Sequence, residues 1–96
     1  MSDQPLTEAE IDLALSELPG WRHVEDRLER TWSFDGHLQA LAAATAIGLL
    51  NEQRNHHSDL TVNYDKLHVA TTTHSAGHKV SAKDIDLAEA ISAFLD

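Results

Sequence analysis

The sequence predicts an α+β domain in the order α-β-β-α-β-β-α, a four-stranded antiparallel sheet with helices packed on one face. Three observations lead there. Two stretches of paired short strands flank a long run rich in Ala and Leu that contains no proline. Capping signatures, Thr7 with Glu10 and Ser81 with Asp84, open apolar-periodic segments near the two ends. The chain has 96 residues, too few for two independent cores, so 1–96 reads as a single domain.

The first helix follows Thr7 and carries Ile11, Leu15 and Leu18 on one face until Pro19-Gly20 ends it. Trp21 to Val24 reads as a short strand and Glu25-Asp26-Arg27 as a turn. Leu28 to Phe34 follows, with Leu28, Arg30, Trp32 and Phe34 on one side because side chains alternate along a strand. Asp35-Gly36 breaks it. The spacing from His37 to Asn55 predicts the longest helix, with Leu38, Leu41, Ala42, Thr45, Leu49 and Glu52 near one stripe. Leu60, Val62 and Tyr64 then share a strand face, and Asp65-Lys66 turns the chain. From Leu67 to Thr73, Leu67, Val69, Thr71 and Thr73 face one side. Ser75 to Val80 is a loop around Gly77, and Ile85, Ala88, Ile91 and Leu95 line the last helix. Residues 1–5 are polar and are expected to be flexible.

The formal net charge of −9, with 16 acids against 7 bases, argues against a binder of nucleic-acid phosphates. With no cysteine there are no disulfides, thiolate ligands or cysteine nucleophile. The start of the chain lacks the pattern of a secretory signal and no apolar run is long enough to cross a bilayer, so cytoplasm is the default expectation, with no membrane partner. A core this small also makes association between subunits a natural supplement to stability.

Seven histidines in such a chain suit proton transfer, metal binding or a polar surface. The arrangement that stands out is Glu52-x3-His56-His57, then Tyr64, His74 and Asp84. Glu52 and His56 are four apart, so a helix would let the carboxylate hold the imidazole, while His57 points elsewhere. Each has a plain alternative: a histidine at a helix C-terminus complements the helix dipole, and Asp84 is explained as an acid in a first helical turn. His23, His37, His68 and His78 lack a companion motif. His74 and His78 have a ligand spacing that works on a helix, but they flank a glycine loop, and no HExxH is present; no metal is expected.

These residues together resemble the pterin-4a-carbinolamine dehydratase family. Glu52, His56, His57, Ser58, Tyr64, His74 and Asp84 fill the places of its signature in order, and the similarity runs from Phe34 through Thr72-Thr73-His74-x-Ala76-Gly77 and Lys83-Asp84-Ile85 to the C-terminus. The family usually carries His-His-Pro, an acid and Trp, where this chain has His57-Ser58-Asp59-Leu60; Gly77-His78 stands where Gly-Gly is common. The resemblance implies dehydration of a 4a-hydroxytetrahydropterin, the product of aromatic amino acid hydroxylation, to the quinonoid dihydropterin, without a cofactor. It implies catalytic roles for His56, His57 and His74, with His56 and His74 as acid and base and His57 orienting the pterin. Ser58, Thr73, Ser75 and Ala76 would contact the substrate, Glu52 and Asp84 would be supporting carboxylates, and the chain would form a homodimer or homotetramer. Two other readings stand beside this one: a non-catalytic, dimerising interaction module of the same fold, which the Leu60 replacement keeps open, and a metal-dependent hydrolase.

Overall fold

The computed structural model describes residues 4–96, so the expectation of a flexible start lies partly outside the described residues. The elements are α1 (Glu8–Leu15), β1 (Arg22–Val24), β2 (Arg27–Ser33), α2 (His37–Arg54), β3 (Asp59–Asn63), β4 (Lys66–Thr71), a 3-10 turn (His74–Ala76) and α3 (Ala82–Leu95). The four strands make one sheet in the order β1-β2-β4-β3, antiparallel throughout. This is the predicted α+β order.

Local chemistry accounts for most of the boundaries. The Thr7 side chain accepts from the Glu10 amide at 3.1 Å while Glu10 accepts from the Thr7 amide at 2.8 Å, a reciprocal cap that starts α1. Glu10 is held below the usual carboxylate range by those contacts, the Thr7 backbone bond first. The β1–β2 hairpin closes through Glu25 and Asp26, both with positive φ (48° and 64°), the two-residue turn whose twist matches its strands. The β3–β4 hairpin closes one residue earlier than Asp65-Lys66, because Tyr64 adopts φ 55° and Asn63 pairs with Lys66. Tyr64 is therefore not a strand residue. It is exposed at the turn, and its ring stacks on His37 at 6.4 Å.

The inner face of the sheet is mostly apolar. Leu28, Trp32, Leu67 and Val69 are buried there in register, with Leu60 and Val62 packed at the margin. Trp21 meets Trp32 edge to face at 5.6 Å, and its indole donates to Ser92 at 2.8 Å. The C-terminus of α3 is clamped to β2 by Asp96, which accepts from both terminal nitrogens of Arg30 (2.7 and 2.9 Å) and from the Trp32 indole.

The buried face of α2 is not the one its periodicity predicts. The stripe Leu38, Leu41, Ala42, Thr45, Leu49, Glu52 points away from the sheet, with Leu38 74% and Leu49 64% exposed. The residues that α2 buries are Ala40, Ala43, Ile47 and Asn51. Small alanines let the helix approach the strands closely, and the larger leucines are left on the other side.

Candidate active site

The C-terminus of α2, the strand end at Thr71 and the N-terminus of α3 meet at one place, and Asp84 lies at its centre, with no exposed surface. One carboxylate oxygen accepts from His56 Nε2 at 2.7 Å and from the Thr71 hydroxyl at 2.6 Å; the other accepts from the Thr73 hydroxyl at 2.7 Å and the Ser81 amide at 2.9 Å. The last of these bonds is half of the capping box that starts α3. With the Thr73 proton given to Asp84, the Ser81 hydroxyl donates to Thr73 at 2.7 Å, and Ser81 in turn accepts from the Lys83 amide. Burying a carboxylate is tolerable only when its lone pairs are filled in this way. Asp84 is thus both the helix-capping acid expected from the sequence and the anchor of His56.

His56 does not meet Glu52. Asn55 takes the left-handed conformation (φ 49°), which ends α2, and the His56 amide donates back to the Asn51 carbonyl at 3.0 Å. The imidazole leaves the helix surface and turns inward to Asp84. Since an ionised carboxylate only accepts, the His56 proton in that bond sits on Nε2. Glu52 instead lies 3.7 Å from His57, on the surface, with their side chains 77% and 59% exposed.

Beside this anchor is a cleft of about 300 Å³. Asn55, His56 and His57 line one wall; Thr72, Thr73, His74 and Ser75 line the other, with Lys83 at the α3 end. Its size falls at the small end of the range for ligand pockets. Three imidazoles from two stretches of chain, one half-buried and two exposed, border the same space. His78 sits behind His74, with ring centroids 4.6 Å apart. A larger cleft of about 460 Å³ lies between α1 and the β1–β2 turn, where His23, Glu25, Asp26 and Lys79 face Ile11 and Val80. It brings a single imidazole together with acids, and lacks the convergence of proton-transfer groups seen at the smaller one.

Of the residues singled out from sequence, His56, His57, Thr73, His74 and Ser75 border the cleft and Asp84 stands directly behind it. Ser58 is turned aside, its hydroxyl donating to Asn51 at 3.1 Å, and Ala76 is the buried residue of the 3-10 turn. Asn55, Thr72 and Lys83 in the lining, and Thr71 on Asp84, are not among the sequence candidates. The alternation of β4 puts Thr71 with Leu67 and Val69 on the inner face, the one signal that could have flagged it as a buried polar group. Among the described residues, no group of three or more His, Cys, Asp or Glu side chains is placed to hold a metal ion, and no helix is long and apolar enough to cross a membrane.

The class these features define is a small α+β protein with a histidine-lined cleft braced by one buried carboxylate. The profile of the pterin 4 alpha carbinolamine dehydratase family matches residues 4–94, and the chain belongs to that family. A protein of Thermosynechococcus vestitus is 41% identical over 87 residues, covering 91% of this chain and 90% of that one. One from Streptomyces coelicolor is 37% identical over 91 residues, covering 95% and 90%. Both are named, provisionally, as pterin-4-alpha-carbinolamine dehydratases. The crystal structure of a transcriptional coactivator/pterin dehydratase from Brucella melitensis superposes with a TM-score of 0.90 at 28% identity, covering 97% of this chain and all of that one.

Proposed function

We propose that the protein dehydrates a 4a-hydroxytetrahydropterin to the quinonoid dihydropterin by proton transfer through imidazole, recycling pterin after aromatic amino acid hydroxylation. The observation that carries this reading is the meeting of His56, His57 and His74 on one cleft, from segments separated by a strand hairpin. The reaction breaks the C4a–O bond. A proton must reach the departing hydroxyl, which leaves as water, and a proton must leave a ring nitrogen. Imidazole suits both steps near neutral pH.

The exposures support a division of labour. His57 and His74 are open to solvent and can exchange protons with substrate and water; they take the acid and base roles, with Thr73 and Ser75 beside the flat ring. His56, fixed through Nε2 to Asp84, orients the substrate from the inner wall, which exchanges the roles that the family resemblance implies for His56 and His57. Glu52 supports His57 from the surface. Ser58 and Ala76 then act through the backbone they stabilise rather than by touching the pterin.

The outward leucines of α2 favour assembly into a homodimer or homotetramer, since an apolar row of this kind on a small protein is otherwise left in water. The setting proposed is cytoplasmic, with a pterin as small-molecule partner. A second reading, a non-catalytic interaction module, is favoured by that same row and by the coactivator half of the name that the Brucella melitensis protein carries. Decay of synthetic 4a-hydroxytetrahydropterin, followed by ultraviolet absorbance, separates the two. The enzyme reading predicts acceleration unaffected by chelator. A folded protein that leaves the uncatalysed rate unchanged contradicts it and leaves the interaction module.

A further inference from the structure

Asn51 is the polar member of the otherwise apolar buried face of α2, only 4% exposed and outside the cleft lining. A buried amide costs free energy unless it is hydrogen-bonded, so its partners indicate what holds it there. Its backbone carbonyl accepts from the His56 amide at 3.0 Å, and its side-chain oxygen accepts from the Ser58 hydroxyl at 3.1 Å. One residue therefore holds the chain immediately before and immediately after His57. Between those anchors the His57 ring is largely exposed, and the neighbouring carboxylate, Glu52, is more exposed still and 3.7 Å away. An exposed carboxylate–imidazole contact of that kind is too weak and too mobile to fix the ring. What sets the direction of His57 is the backbone it stands on.

We infer that Asn51 is a positioning residue for His57, acting through the Ser58 hydroxyl; the consequence for turnover rests on the dehydratase reading above. Reacting groups misplaced by about 1 Å lose up to about a hundredfold in rate, and releasing one end of a short turn permits shifts of that order. The fit is specific to an acceptor at position 51 and a hydroxyl at position 58, and it gives Ser58 a role that does not require it to reach the substrate.

The test uses the full chain with Asn51→Ala, Ser58→Ala, the double variant and Ser58→Thr. Two readouts are taken: kcat and KM for carbinolamine dehydration, and the heteronuclear NOE of the His57 backbone amide. Each alanine variant is expected to lose about tenfold in kcat with a smaller change in KM. The double variant should be no worse than the poorer single one, because both remove the same contact. Ser58→Thr, which keeps the hydroxyl, should stay within about twofold of wild type, and the NOE should fall in the three alanine variants only. Ser58→Ala removes no core side chain but leaves the buried Asn51 oxygen without a donor, so kcat is normalised to the folded fraction read from the urea midpoint, which separates positioning from folding. Unchanged kcat and NOE in that variant, or losses that multiply in the double variant, would overturn the inference. If the wild-type protein shows no turnover, the dehydratase reading falls alone, and the NOE still decides whether Asn51 holds the turn.

Discussion

The two sides of the cleft are built to opposite specifications. On its inner side, His56 is tied to Asp84, which also binds Thr71, Thr73 and Ser81, so that each oxygen of this fully buried carboxylate takes two hydrogen bonds. At its mouth, His57 and His74 are exposed, and their side-chain neighbours are a surface carboxylate and another imidazole. Holding a position and exchanging protons place different demands on a side chain. A saturated buried group holds geometry because any movement breaks several bonds at once. An imidazole that must gain and lose a proton each turnover needs access to substrate and solvent. On the proposed reading, the same residue type serves both ends, and burial decides which job it does.

That contrast is most severely disrupted from behind. Asp84→Ala leaves four donors facing a cavity and is expected to cost about 3 kcal/mol or more, since each buried donor left without a partner costs about 1–3 kcal/mol, as read from the urea midpoint. His74→Ala and His57→Ala test the mouth. Each should lower kcat by about 10²–10⁴-fold while changing stability by less than about 0.5 kcal/mol. A His56→Ala variant should instead show both a stability loss and an activity loss, because its removal leaves a buried Asp84 oxygen short of a donor.

Away from the cleft the effects are smaller. Leu38→Glu combined with Leu49→Glu puts charge on the outward row of α2 and should shift the mass seen by light scattering to that of a monomer, with helix content retained. The weakest expected effect is at Asp96, whose carboxyl is held below the usual carboxylate range by hydrogen bonds from Arg30, which outweigh partial burial, with the Trp32 indole adding to them. Its depressed pKa means that its contribution is present above the ordinary carboxylate range and lost as pH falls through the folded-state value. Asp96→Asn should therefore cost roughly 0.5 kcal/mol at neutral pH, and the gap from wild type should close in acid. Thermal melts at pH 7 and pH 3 check the sign.

The fold is legible in the sequence where the signal is local. Both capping boxes, the Leu28-to-Phe34 alternation and the length of α2 depend on residues within a few positions of one another. Legibility ends where one dihedral redirects the chain. Glu52 and His56 are correctly spaced for a helical pair, but Asn55 turns left-handed between them, and sequence spacing carries no information about where His56 then goes. Tyr64 reads as a strand residue for the same reason, since a tyrosine at φ 55° is uncommon. The exposed stripe of α2 misleads because that helix is apolar on both sides, so periodicity alone does not choose which side meets the sheet. Asn51 gives no sign of its contact because Ser58 reaches it only after Asn55 turns the chain, and Thr71 shows only as a polar member of an inner strand face, its partner Asp84 being brought to it by tertiary packing.

The decisive experiment is the initial rate of 4a-hydroxytetrahydropterin dehydration at neutral pH by wild-type protein, His74→Ala and His56→Ala, each normalised to the folded fraction. Wild type should accelerate the reaction strongly, His74→Ala should lose most of that acceleration without losing stability, and His56→Ala should show a combined deficit. Equal rates for wild type and His74→Ala would refute the division of labour, because proton transfer would then not pass through the exposed side of the cleft.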